Sequence, residues 1–260
     1  MIRAKKSLGQ NFLMHAQTAE RIVRAAGVGK TDTVLEIGPG TGMLTRVLLA
    51  GAGRVIAIEK DDELVPVLSD TFSAALASGQ LTLIHGDALS FDTRSINGPY
   101  HLVANIPYYI TGELIRTFLA APHKPASITL LVQKEVAERI ARSKKESMLS
   151  LSVKAYGTPS YEFTVPRGAF KPAPSVDSAV LTVRDIRQDA FPSEAAESRF
   201  FAVLRAGFAH KRKLLARNLE NIAEKARIAE VFAQANLAEK ARAEDLSLHE
   251  WRRITETLSN

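Results

Sequence analysis

The 260-residue chain has no cysteine, which excludes disulfides and thiolate chemistry and fits a reducing, cytoplasmic setting. It has no apolar run of membrane-spanning length. Its basic amino terminus, Met1-Ile2-Arg3-Ala4-Lys5-Lys6, leads into no apolar stretch, so neither a signal peptide nor a membrane anchor is expected. The one Gly-Lys-Thr, Gly29-Lys30-Thr31, has Arg24 where the P-loop pattern needs its first glycine, so there is no P-loop to cradle phosphates. Internal repeats and low-complexity tracts are lacking as well. What remains is 46% apolar and 24% charged residues, the composition of a globular chain with a sizeable core. The length allows one large domain, or one domain with an appendage.

Acidic residues are missing from particular places. Net charge is +6. Residues 199–218 hold Arg199, Arg205, Lys211, Arg212, Lys213 and Arg217 and no acid. Residues 1–30 carry six basic side chains against the single acid Glu20, and Arg139, Arg142, Lys144 and Lys145 form a third group. Patches without compensating carboxylates form a footprint for a polyanion.

The first two-thirds alternates short apolar runs with amphipathic stretches. Strands are expected at 33–37, 54–58, 81–84, 101–104 and 128–132, with helices at 42–50, 62–76 and 111–121. Such βαβ spacing predicts a mostly parallel sheet flanked by helices. A further strand pair, 149–155 and 178–184, is expected to complete one edge of the sheet. After Arg184 no strand-like run appears, and helices are expected at 193–208, 211–223, 227–235 and 246–258. Ser247 and Glu250 have the spacing of a capping box. A boundary near 186 divides the chain into an α/β domain, 1–185, and a small all-α domain, 186–260.

The first strand runs into Gly38-Pro39-Gly40-Thr41-Gly42, where the absence of Cβ atoms lets a cofactor approach the backbone. The dinucleotide fingerprint would need glycine where Met43 stands, which argues against NAD. Glu59 ends the second strand, where a carboxylate can accept both ribose hydroxyls, and Asp87, in Gly86-Asp87-Ala88 after the third, can bind an adenine amine. An adenosyl site without a phosphate ligand indicates S-adenosylmethionine. Asn105-Ile106-Pro107-Tyr108 follows the fourth strand. The proline ends the ladder, the Asn105 amide and nearby carbonyls become acceptors, and Tyr108 supplies a π-face. A planar base with an exocyclic amine requires such a combination.

On these motifs the chain resembles the ribosomal RNA adenine N6,N6-dimethyltransferases, in particular their small-subunit (16S) branch. The resemblance extends through Leu8-Gly9-Gln10-Asn11-Phe12-Leu13, the Phe170-Lys171-Pro172-Ala173-Pro174-Ser175-Val176-Asp177-Ser178 segment, and Gly207 to Leu214 with Asn218 beyond. It implies a class I, Rossmann-like methyltransferase domain followed by a helical RNA-binding domain. Gln10, Asn11, Phe12, Leu13, Gly38, Gly40, Gly42, Glu59, Lys60, Asp87, Ala88 and Asn105 would then surround the cofactor. Asn105 and the Ile106 carbonyl, with Pro107 between them and the ring, would accept from the target amine, while Tyr108 and Phe170 would stack on its two faces. Arg205, Lys211, Arg212, Lys213 and Arg217 would grip phosphates from one helix face. The implied activity is dimethylation of two adjacent adenosines in the 3′-terminal hairpin loop of small-subunit RNA, in an immature 30S subunit, by a monomer that needs no metal. Two alternatives remain at this point: methylation of large-subunit (23S) RNA, or an assembly factor whose binding matters more than its catalysis.

Overall fold

The computed structural model describes residues 4–5 and 8–259, so Arg3 and Lys6 of the first basic patch lie outside the described residues. The chain forms two compact units, Met1–Glu138 with Gly157–Gln188, and Arg139–Tyr156 with Asp189–Asn260. The division is thus discontinuous. A single cut at 186 leaves 139–156 on the wrong side, because that segment belongs with the carboxyl-terminal helices.

The first unit contains strands β1 (Phe12–Leu13), β2 (Thr33–Ile37), β3 (Arg54–Glu59), β4 (Leu81–His85), β5 (Tyr100–Asn105), β6 (Ser127–Gln133), β7 (Thr158–Val165), β8 (Phe170–Lys171) and β9 (Ser178–Arg184). Seven of them form one sheet in the order β4-β3-β2-β5-β6-β9-β7, and β1 pairs separately with β8. Pairing is parallel from β4 through β6 and antiparallel for β6 with β9 and β9 with β7. Central parallel strands are covered on both faces, which is why β2, β3, β5 and β6 read as near-continuous apolar runs.

Helices α1 (Ala16–Ala26) and α2 (Met43–Gly51) place Ile22, Val23, Leu44 and Leu48 against Val34, Val55 and Val103 of the sheet. Burial of each such side chain stabilises the fold by about 1.5–3 kcal/mol. The helix expected over 62–76 is divided into α3 (Leu64–Thr71) and α4 (Ser73–Ala77), which meet at Phe72. Pro66 is tolerated because it lies in the first turn of α3, where N–H groups have no helical partner. Helices α5 (Thr111–Leu119) and α6 (Lys134–Ala141) follow β5 and β6.

The edge of the sheet departs from expectation. Residues 149–155 form helix α7 (Met148–Tyr156), and the edge strand is β7, which carries Pro159. Leu149-Ser150-Leu151-Ser152-Val153 alternates with the period of a strand, but both serines are buried in the helix. Their hydroxyls donate to backbone carbonyls one turn earlier, Ser150 to Ser147 at 2.9 Å and Ser152 to Met148 at 2.6 Å. Polar residues that satisfy themselves in this way can be buried at small cost, which hides the helical period. Proline is acceptable in β7 because an edge strand leaves some N–H groups unused.

The second unit holds α7, α8 (Glu194–Gly207), α9 (Leu215–Leu219), α10 (Lys225–Ala235) and α11 (Leu248–Ser259). Ser247 and Glu250 form the expected reciprocal cap, with N–H to carboxylate at 2.7 Å and N–H to hydroxyl at 3.4 Å. Only 215–219 of the helix expected over 211–223 is helical; Lys211, Arg212 and Lys213 lie in a turn. Buried Asn218 organises that turn by donating to the carbonyls of Gly207 at 2.6 Å and His210 at 3.1 Å.

Candidate active site

Strand order reverses at β2, whose successor β3 lies on one side and β5 on the other. In a doubly wound sheet this opens a crevice at the carboxyl ends of the strands. Ile37 is level with both Ile58 and Ala104, so the chain leaves the sheet side by side at Gly38 and Asn105. A cavity of about 300 Å³ occupies the crevice. Its walls include Gln10, Asn11, Phe12, Leu13, Gly38, Gly40, Glu59, Lys60, Asp87, Ala88, Asn105, Ile106 and Pro107, site residues that the fold gathers from well-separated segments.

Glu59 is 5% exposed and organises the floor. Its Oε2 accepts the Gly40 N–H at 3.0 Å and its Oε1 the Asp61 N–H at 2.8 Å, which leaves further lone pairs on both oxygens. Gly40 has φ +60, and a Cβ there would come within 3.1 Å of the Phe12 ring. Glycine therefore both permits the turn and lets the aromatic wall close over it. Gly42 serves the scaffold: it does not line the cavity, and a Cβ on it would stand 2.5 Å from the ring of Phe72. At the far end Asp87 accepts from Lys60 Nζ at 2.7 Å and from the Leu89 N–H at 3.0 Å. The Lys60 ammonium is the main reason its carboxyl lies below the usual carboxylate range.

On the opposite side, Asn105 Nδ2 donates to the Asn11 carbonyl at 3.2 Å. That bond sets the amide's orientation and leaves Oδ1 as its acceptor. The two aromatic candidates are placed differently from expectation. The Tyr108 hydroxyl is bonded to Ser178 at 2.6 Å; burial, the main cause, raises its pKa, and the ring does not line the cavity. Its neighbour Tyr109 does line it and is 68% exposed. Phe170 is 4% exposed and belongs to the core with Leu13, Val165 and Ala169. Spacing identifies an aromatic beside an acceptor, whereas the short helical turn at Tyr108–Ile110 decides which ring faces where. The sequence reading also missed Asp61, although it follows Glu59 closely in a run of acids. The basic residues proposed for one helix face are exposed but distributed: Arg205 on α8, Lys211–Lys213 in the turn, and Arg217 on α9 beside Glu220 at 3.2 Å.

Beneath the glycine turn, Glu36 is buried and neither carboxyl oxygen has a hydrogen-bond partner among the described residues. Burial pushes its pKa up to about 8 from an ordinary 4.5. The unfolded chain then ionises at lower pH than the native one, so stability falls as pH rises between those two values. Glu36→Gln should remove that slope, a difference on the order of several kcal/mol by pH 8. Urea unfolding of both proteins at pH 5 and pH 8 measures it; parallel behaviour would mean that the native carboxyl is already ionised.

The switch-point cavity, the glycine turn under it and the buried Glu59 carboxylate at the end of β3 define a class I, Rossmann-like methyltransferase. The chain belongs to the ribosomal RNA adenine dimethylase family, whose profile matches residues 1–260. A ribosomal RNA small subunit methyltransferase A from Dehalococcoides mccartyi is 42% identical over 97% of this chain and 88% of its own length. One from Enterococcus faecalis is 37% identical over 98% and 90%. Among solved structures, a dimethyladenosine transferase from Plasmodium falciparum superposes with a TM-score of 0.79 at 26% identity, covering 94% of this chain and 95% of that one. The 23S rRNA methyltransferase ErmE gives 0.77 at 26% identity, covering 96% and 100%.

Proposed function

We propose that this protein dimethylates N6 of two adjacent adenosines in the 3′-terminal hairpin loop of small-subunit ribosomal RNA, using S-adenosylmethionine. In this reading it acts in the cytoplasm, as a monomer, on an immature 30S subunit. The observation that carries the reading is the Asn105 amide, held by the Asn11 carbonyl beside a glycine turn and the buried Glu59 carboxylate. The names of the relatives support the small subunit as target. Among the described residues, no helix is long and apolar enough to cross a membrane.

When bound, S-adenosylmethionine supplies a methyl group on a sulfonium, which is already a good leaving group. The chain's residues supply position. Glu59 would offer its remaining lone pairs to ribose hydroxyls, Gly38 and Gly40 would pass beneath the methionine portion, and Asp87 with Lys60 would border the adenine. An adenine amine is a poor nucleophile because its lone pair is delocalised into the ring. Acceptance of its N–H groups by Asn105 Oδ1 and the Ile106 carbonyl favours a pyramidal nitrogen aimed at the donor. Alignment of this kind in a water-poor cavity is worth roughly 7–11 kcal/mol. No general base is required, since the protonated product amine is itself acidic.

The target base must leave its stack, and a loop adenosine is cheaper to extrude than a paired one. Tyr109, which lines the cavity, offers a ring face to it in place of Tyr108. Phe170 can do so only after leaving the core, so its contribution here is to support the wall formed by Leu13. The helical unit holds the RNA, with the exposed Lys211–Lys213 turn and Arg205 on phosphates.

The test is transfer of labelled methyl to small subunits lacking the modification, followed by mass mapping of the nucleotides. Two neighbouring dimethyladenosines are expected; label in large-subunit RNA instead would overturn the assignment.

A further inference from the structure

We infer that Asp61, a residue outside the cavity wall, is a positioning residue that latches the amino-terminal strap over the bound cofactor. The inference rests on the methyltransferase reading above and adds to it a device for cofactor retention.

The strap is the segment Leu8–Leu13, which supplies a wall of the cavity and sets Phe12 over the glycine turn. Its carboxyl end is fixed by the two-residue pairing of β1 with β8 and by the Asn105–Asn11 hydrogen bond. Its amino end is held by polar contacts that converge on one carboxylate. Lys5 Nζ lies 2.7 Å from Asp61 Oδ1, and Gln10 Nε2 donates to Oδ2 at 2.7 Å. The Lys5 N–H in turn donates to Gln10 Oε1 at 2.7 Å, so Lys5 is also tied directly to the strap.

Lys5 also approaches Asp62 at 3.0 Å and Glu63 at 3.1 Å, but those side chains are 76% and 72% exposed, against 2% for Asp61. Exposed pairs contribute little, whereas a carboxylate removed from water depends on its partners. Burial pushes the Asp61 carboxyl up, yet the bonds from Lys5, Gln10 and the Glu63 N–H outweigh it and hold it below the ordinary range. It is therefore an anion wherever the enzyme works. Its backbone N–H holds Glu59 Oε1, so one residue ties the ribose acid to the lid above it. Loading and release of the cofactor require this latch to open.

The experiment uses the full-length protein and S-adenosylhomocysteine as probe. Binding is measured by calorimetry and release by stopped flow, for the native protein, Asp61→Asn, Lys5→Met and the double variant. Asp61→Asn keeps the shape of the side chain and its backbone N–H, but removes the charge and sets an amide against a donor. It should weaken binding by about tenfold or more, with most of the change in the release rate. Lys5→Met should reproduce part of the loss, and the double variant should lose less than the sum. In methyl transfer the loss should fall on the KM for S-adenosylmethionine, and chymotrypsin should cut the strap of the variant after Phe12 even with probe present.

Unchanged affinity in Asp61→Asn overturns the latch. Strictly additive losses also overturn it, since Asp61 and Lys5 would then not be acting as one latch. Failure of the native protein to bind the probe would instead sink the methyltransferase reading.

Discussion

Asn105→Ala should lower turnover on the order of a thousandfold, far more than the loss of cofactor affinity that follows from releasing the Asn11 carbonyl. The amide sits at the carboxyl end of β5, level with the glycine turn, and its Nδ2 is already committed to the Asn11 carbonyl. Truncation removes the acceptor that shapes the attacking nitrogen, yet it leaves the Glu59 floor and the Lys60–Asp87 pair in place. An interaction that acts on the reacting atom in the transition state is expected to appear in kcat and not in ground-state binding. Single-turnover methyl transfer with saturating cofactor, alongside calorimetric titration of S-adenosylhomocysteine, separates the two quantities. Near-normal turnover would remove Asn105 from its assigned role.

Glu59→Ala should abolish methylation by the opposite route, through loss of the cofactor, while small-subunit binding survives. The carboxylate accepts N–H groups from Gly40 and Asp61 and is almost fully buried. Hydrogen bonds to a charged group are worth about 1.5–3 kcal/mol each, and the ribose contacts are lost with them. Nothing in that loss touches Lys211, Arg212 or Lys213, whose charges lie in the helical unit. Filter binding of the variant to immature small subunits, at several salt concentrations, should therefore match the native protein. Collapse of subunit binding would show that the RNA grip is not confined to that unit.

How far the sequence is legible depends on the range of the interactions that decide each feature. The glycine turn, Glu59 and Asn105 were readable because each follows a strand whose apolar run is a direct consequence of burial on both faces. The capping pair Ser247–Glu250 was readable for the same reason, since both partners lie within one turn. Helix α7 was not, because self-satisfied serines imitate the alternation of a strand. Nor was its membership of the second unit, which rests on contacts distant in the chain such as Lys145 with Glu244 at 2.7 Å and Arg252 with the Ala155 carbonyl at 3.1 Å.

Local pattern by itself determined the fold class and the placing of the glycine turn, Glu59 and Asn105 at strand ends, since strand periods, turn glycines and strand-end side chains act over a few residues. Only the tertiary structure decided that Phe170 is core, that Tyr109 and not Tyr108 lines the cavity, and that Asp61 gathers Lys5 and Gln10. Those choices depend on which surfaces meet after the chain has folded back on itself. Burial and hydrogen-bond partnership across such distances leave no period in the sequence from which they can be read.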